Sequence, residues 1–324
     1  MSKDKKYFGI DISKDIFDVY DYLGNFHQFS NDFKGFKKFN TLLDKESHCV
    51  MEATGYYHTK LAYYLIEKKV LVSVENPLKI KRFIQMGLSK IKTDKSDAKQ
   101  IYNYALKVDL RFWYGESKTQ QESLQIVRLL SVYTKQSTML KNKIHGENVL
   151  GTPSKIVVQS LKRQLKSIQK ELKKLEVALE NNVKTEHQES LTLLRSIPGI
   201  GPKTAMMMLV FTDGFSRFNT SKELCSYAGI TPVIRESGSS VKGKPRISKV
   251  GNVKLRNLLF LCSFNACKYN KSCKALYDRI VAKGKSKKLA LIAVCNKLLK
   301  QAFSIVKNRV PYDDNFRSIL VKNN

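Results

Sequence analysis

The stretch Tyr7-Phe8-Gly9-Ile10-Asp11-Ile12-Ser13 decides how the amino-terminal third of the chain folds. An apolar run that closes on an acid reads as a β-strand delivering a carboxylate at its end, here over residues 5 to 12. Residues 16 to 23 read as a second strand, and Gly24-Asn25 marks a turn before a third near Phe26 to Ser30. A helix follows from about Asp32 to Leu43, with Phe33, Phe36, Phe39 and Leu43 on one stripe. Next come a short apolar strand ending on an acid, Cys49-Val50-Met51-Glu52, a helix over about Tyr57 to Lys68 and a strand over Val70 to Glu75.

Three strands in hairpin order, then alternating helix and strand, is the chain order of a ribonuclease H-like α/β domain. In that order the first strand, the fourth strand and a late helix meet at one edge of the sheet. The late helix opens with Thr93-Asp94-Lys95-Ser96-Asp97-Ala98. Positions i and i+3 share a helix face, so Asp94 and Asp97 can point at one site together. Asp11, Glu52, Asp94 and Asp97 thus form a tetrad suited to two magnesium ions about 4 Å apart, an arrangement used for phosphoryl transfer. Asp15, Asp18 and Asp21 are nearer decoys. Alternation along the chain puts Asp15 on the face of Asp11, but a solvated strand end explains it more simply.

The chain has 324 residues, enough for two domains, and a formal charge of +30 from 58 Lys plus Arg against 28 Asp plus Glu. Such an excess favours a polyanionic partner, above all nucleic acid, over a small-molecule substrate. Six scattered cysteines form no C-x-x-C pair and read as reduced thiols. No apolar run approaches 18 residues, and the start MSKDKKYFGIDIS lacks a signal-peptide core. A soluble cytoplasmic protein without a membrane partner is expected. There is no G-x-x-x-x-G-K-[ST] loop, so ATP is not implied.

The middle of the chain is helical. Ile126, Leu130, Tyr133, Ser137, Leu140 and Ile144 recur at spacings of 4, 3, 4, 3 and 4. Gly151-Thr152-Pro153-Ser154 breaks that pattern, with Thr152 and Pro153 suiting a new N-cap and N1. Val158, Leu161, Leu165, Ile168, Leu172, Leu175 and Leu179 then repeat at heptad spacing. The two segments make a coiled-coil hairpin, either packed on itself or paired with another subunit.

A mainly helical domain begins near residue 190. Ile197-Pro198-Gly199-Ile200-Gly201-Pro202-Lys203 reads as a helix-hairpin-helix turn whose backbone N–H groups can grip a phosphate, with Gly199, Gly201 and Lys203 at the contact. Arg235-Glu236-Ser237-Gly238-Ser239-Ser240 and the basic residues after it read as a flexible cationic loop, feeding a helix whose start carries Lys249 and Arg256. A serine beside glycine in such a loop is either a phosphate contact or a nucleophile toward a phosphodiester. Helices are expected at about 252 to 269 and 285 to 306.

Gly-Ile-Asp-Ile-Ser, Met-Glu-Ala-Thr-Gly, Lys-Thr-Asp-Lys-Ser-Asp-Ala, Ile-Pro-Gly-Ile-Gly-Pro and Ile-Ser-Lys-Val-Gly-Asn-Val-Lys-Leu-Arg occur in one order over nearly the whole chain. In this the sequence resembles transposases of the insertion sequence 110 family, relatives of Piv-type DNA invertases. The resemblance implies a RuvC-like catalytic domain (1–115), a coiled-coil dimerisation region (116–189) and a transposase domain (190–324). It maps an Asp-Glu-Asp-Asp tetrad onto Asp11, Glu52, Asp94 and Asp97, and a catalytic serine onto Ser237, with Ser239 and Ser240 close in register. It further implies Mg2+, with Mn2+ as a substitute, and donor and target DNA at the nucleoid. A guide non-coding RNA and a homodimer or homotetramer with a composite site complete the expectation. The competing expectations are a RuvC-like nuclease or resolvase that hydrolyses DNA with water, and a non-catalytic nucleic-acid binder.

Overall fold

A computed structural model of the chain describes residues 6–53, 55–87, 94–233, 236–237, 241–242 and 246–315, with backbone alone for residues 94, 95, 236, 237, 241 and 242. It falls into two compact units, one up to Glu116 and one from Ser117.

The first unit is built on a five-stranded mixed sheet. Strands β1 (Lys6–Ile12), β2 (Ile16–Tyr20) and β3 (Phe26–Ser30) form an antiparallel meander. Strands β4 (Ser47–Glu52) and β5 (Leu71–Glu75) add in parallel on the other side of β1, giving the order β3-β2-β1-β4-β5. Side chains alternate across a pleated strand, and the two faces of β1 bury into different cores. Phe8, Ile10 and Ile12 pack with Phe17, Phe39 and Leu61 under helices α1 (Phe33–Asn40) and α2 (His58–Glu67). On the opposite face Tyr7 packs with Val50, Ile80, Ile101 and Tyr104 under α3 (Pro77–Met86) and α4 (Asp94–Lys107). Helix α3 is absent from the expectations above, although its start is marked by Asn76, whose side chain accepts from the Leu78 N–H at 2.8 Å, and by Pro77 at the first helical position.

The second unit is helical. Helices α5 (Lys118–Val149) and α6 (Lys155–Arg195) fold back on each other as a hairpin. Ile126, Leu130 and Ser137 of the first seam are buried, as is Leu179 of the second, while the outer seam positions Val158, Leu161, Leu165 and Ile168 are half-buried. The N-cap of α6 is Ser154, not the expected Thr152, so Pro153 lies just before the helix. At its base the hairpin shares one core with the rest of the unit, in which Ile126, Leu130, Leu179 and Val183 join Leu194, Leu209 and Leu255. That core also takes in α7 (Pro202–Thr212), α8 (Ser221–Ala228), α9 (Val253–Tyr269), α10 (Lys271–Ala282) and α11 (Lys287–Asn308). Helices α8 and α10, like α3, are absent from the expectations above. Helix α11 is long and apolar enough to cross a membrane, although scattered lysines keep it from reading as an unbroken apolar run. Its Val294, Cys295, Leu298, Leu299 and Ala302 are fully buried, as in the central helix of a core.

In the segment between α8 and α9, where a flexible loop is expected, the described residues include two short antiparallel strand pairs. Strand β6 (Pro232–Val233) pairs antiparallel with β9 (Arg246–Ile247), and β7 (Glu236–Ser237) pairs with β8 (Val241–Lys242).

Candidate active site

Asp11 sits on the α4 face of β1, two residues beyond Gly9. A Cβ on Gly9 would stand 2.3 Å from the Tyr102 amide nitrogen and 2.4 Å from the Ala98 carbonyl oxygen, so α4 crosses β1 at backbone distance. That crossing sets the turn carrying Asp97 against the end of β1. The parallel register of β1 and β4 runs Gly9 opposite Val50 and Ile10 opposite Met51, and its continuation sets Asp11 beside Glu52. Asp11, Glu52 and Asp97 are all half-buried.

Their electrostatics agree with this grouping. The Asp11 carboxyl is pushed up from 3.8 to about 6, first by burial and then by the negative charges of Asp97 and Glu52; Asp18 adds a smaller share, and the Ile12 backbone opposes the shift. Three carboxylates gathered in one half-buried place are costly unless a cation offsets them. All three offer carboxylate oxygens, the donors that hard divalent cations take. The residues therefore fit a divalent metal. Among the described residues they are not already closed into a ready ligand cluster. Asp97 instead accepts from the Ser96 hydroxyl at 3.5 Å. Asp94 is the first residue of α4, one helical turn before Asp97, and its side chain lies outside the described residues.

Two acids that the sequence reading does not use border this group. Asp18, set aside above as a decoy, stands directly opposite Asp11 in the antiparallel pair and is buried. Asp15, which alternation favours, is exposed beyond the end of the strand. Glu75 is paired opposite Glu52, buried, and held by the Lys79 ammonium at 2.9 Å and the Tyr104 hydroxyl at 3.3 Å.

In the second unit the sequence candidates separate into roles. Gly199 has φ +104°, and a Cβ there would meet the backbone of Ala266 at 2.9 Å, so this glycine lets the turn after α6 lie on α9. Gly201 caps α7 and faces open space, which leaves the start of that helix accessible. Lys203 pairs with Glu176 at 2.5 Å. Arg256 donates from Nη1 to the Ala228 carbonyl at 2.9 Å, closing the end of α8. Lys249 is exposed at φ +57°, its N–H donating to the Gly229 carbonyl at 3.1 Å. Ser237 is paired through its backbone with Val241; Ser239 and Ser240 lie outside the described residues. The six cysteines are free, and burial raises the thiols of Cys273 and Cys295 to about 12, which keeps them unreactive.

Comparison with known proteins gives this arrangement its class. A family model described as a transposase, for the DEDD type of IS110 elements, matches residues 8–150, and the transposase IS116/IS110/IS902 family model matches residues 191–278. The chain is similar to the pilin gene-inverting protein of Moraxella bovis, 29% identical over 322 residues that cover 95% of this chain and 98% of that protein. It is also similar to the transposase for insertion sequence element IS1111A of Coxiella burnetii, 26% identical over 79% of this chain and 76% of that one. The chain belongs to the IS110 family of transposases and is a DNA transposase or recombinase. The DEDD character of that family points to divalent-metal use.

Proposed function

We propose that the first unit is a RuvC-like catalytic domain and that the protein cuts and rejoins DNA through a phosphoserine intermediate on Ser237. The observation that carries the reading is the juxtaposition of Asp11 with Glu52 on adjacent strands and with Asp97 on the helix crossing them. The strand order, with three antiparallel strands followed by two parallel ones, supports the ribonuclease H-like assignment. Asp11, Glu52, Asp94 and Asp97 would hold Mg2+, two ions in our reading, with Mn2+ able to replace it. Bound there, the metal supplies Lewis acidity at a scissile phosphate.

The chain's own residues do the rest. The Ser237 oxygen attacks phosphorus and forms a new P–O bond. The displaced deoxyribose oxygen leaves as a hydroxyl, taking up the proton the serine gives away. A hydroxyl on the second strand then reverses the step, restoring the serine and joining the new pair of ends. The start of α7 at Gly201 and the exposed Lys249 are the phosphate contacts in this reading. Lys203 serves once released from Glu176, and Gly199 and Arg256 hold the surfaces that present them. Functionally, residues 1–115 supply the carboxylates, 116–189 the arm for dimers or tetramers, and 190–324 the serine.

A structured non-coding RNA selects donor and target DNA at the nucleoid. The formal charge of +30 supports a polyanionic load of that size. The outer part of α6 adds to this support: residues 155–170 carry Lys155, Lys162, Arg163, Lys166 and Lys170 and no acid.

The test is covalent trapping with the purified protein, its co-purifying RNA, end-labelled junction DNA and Mg2+. A protein–DNA adduct on a denaturing gel that disappears in both Ser237→Ala and Asp97→Ala is expected. Free cut ends without an adduct, persisting in Ser237→Ala, would replace this reading with a nuclease that hydrolyses DNA with water.

A further inference from the structure

The Asn31 side-chain amide ties the end of β1 to the start of α2. It donates to the Ser13 carbonyl at 2.9 Å and to the Tyr57 carbonyl at 3.3 Å, which keeps those two oxygens within about 6 Å of each other. Ser13 lies two residues past Asp11, roughly 7 Å along an extended chain. Tyr57 is thereby moored at the edge of the sheet where the strands bearing Asp11 and Glu52 end. A tyrosine does little for stability there. It is the N-cap of α2, where Ser, Thr, Asp or Asn would satisfy a free N–H, and its side chain caps nothing. The ring is 46% exposed and belongs to neither core of the unit, and its hydroxyl makes no hydrogen bond among the described residues. The Tyr57 backbone already has helical angles, φ −65° and ψ −31°, so Lys60, three residues on and exposed, shares its face. An exposed ring beside a lysine suits single-stranded nucleic acid, because every base offers a flat π-face and the backbone phosphate takes the cation. Consecutive bases on a strand are about 3.4 Å apart, so a strand with its phosphate at Asp11 carries bases within about three nucleotides of the cut past Tyr57.

We propose that Tyr57 is a positioning residue for strand cutting: its ring stacks on an unpaired base of the DNA close to the scissile phosphate and fixes that phosphate at the carboxylates. This rests on reading Asp11, Glu52 and Asp97 as the cutting site. A base inside a duplex has both faces covered by its neighbours, so the base held is one that strand separation has freed.

The full-length protein with its co-purifying RNA would be bound to junction DNA carrying 5-iodouracil singly at each position within about three nucleotides of the cut, then irradiated. Iodouracil couples under light to an aromatic ring stacked on it, and mass spectrometry locates the joined peptide. A cross-link at Tyr57 is expected in the wild type. Tyr57→Leu is expected to lose it and to cut DNA about tenfold more slowly, the worth of one base stacked on an aromatic ring, with its melting temperature unchanged. Tyr57→Phe keeps the ring and should restore both the cross-link and the rate. No cross-link at Tyr57, or cutting by Tyr57→Leu within about twofold of wild type, overturns the proposal. So does a Tyr57→Leu protein that melts early, or a Tyr57→Phe protein as slow as Tyr57→Leu. Asp97→Ala separates the two readings. If that variant still cuts, the reading of the carboxylates falls; if cutting depends on Asp97 and any of the contrary results appears, the role of Tyr57 alone falls.

Discussion

Gly9 of β1 and Ala98 of α4 meet with no room for a side chain between them: a Cβ on Gly9 would lie 2.4 Å from the Ala98 carbonyl oxygen. Ala98 follows Asp97 directly, and Gly9 precedes Asp11 by two residues, so one close crossing aligns two of the carboxylates. Gly9→Ala should push α4 off the sheet, costing about 3 kcal/mol of stability, as overpacking against backbone does. Urea denaturation gives the loss, and DNA strand cleavage should fall with it even under conditions where the variant remains folded.

The raised carboxyl of Asp11 predicts how stability depends on pH. Its value is about 6 in the folded chain against an ordinary 3.8, so the folded state binds this proton more tightly than the unfolded one does. Without divalent metal, the contribution is fully favourable below about pH 4 and is lost as pH rises through 6. Melting curves in EDTA between pH 4 and 7 should show this component falling. Asp11→Asn should remove it and raise the metal-free melting temperature near pH 7. Adding Mg2+ should raise that of the wild type and leave the variant unmoved.

The basic outer part of α6 should make nucleic-acid binding steeply salt-dependent. Replacing Lys162, Arg163 and Lys166 together by Gln should flatten the plot of log affinity against log salt by about three contacts' worth for duplex DNA. Fluorescence anisotropy over a salt series measures the slope, and an unchanged slope would remove this face from the interface.

Arg256 and Lys249, close in sequence and both basic, should behave differently. Arg256→Ala leaves the Ala228 carbonyl without its donor and should cost about 2 kcal/mol of stability. Lys249→Met should leave the melting temperature in place and weaken DNA binding. Thermal unfolding beside an anisotropy titration distinguishes the two.

The strand order of the first unit is legible in the sequence because each strand is a short apolar run with a clear turn, and Asp11 and Glu52 end two of those runs. The place of Asp18 in the sheet is not legible there for a definite reason. Alternation counted from Asp11 to Asp15 passes through the turn at Ser13, and a turn resets which face a residue takes. Only the pairing of β1 with β2 shows that Asp18, and not Asp15, comes opposite Asp11. The short strand pairs around Ser237 stay hidden because their strands are two residues long and exist only through their partners. Gly251 and Asn252 form part of a motif that, in the sequence, has no task of its own. Gly251, at φ +134°, lies where a Cβ would be 2.2 Å from the Tyr227 carbonyl oxygen, and Asn252 caps α9 while its amide reaches the Tyr227 hydroxyl at 3.0 Å. The pattern is a clasp between α8 and α9, which no spacing rule reveals.

Helix α6 runs for 41 residues, close to ~60 Å at the usual rise, from the outer end of the arm to the turn that opens α7. Its regular geometry is interrupted at His187, where φ is −137° and ψ is 30°. The helix therefore works as a jointed rod. Torque applied near Ser154 travels down a stiff shaft to a single pivot, and the short segment beyond that pivot ends beside Gly201. Whatever engages the far end of the arm would hold a handle on the turn proposed to meet phosphate.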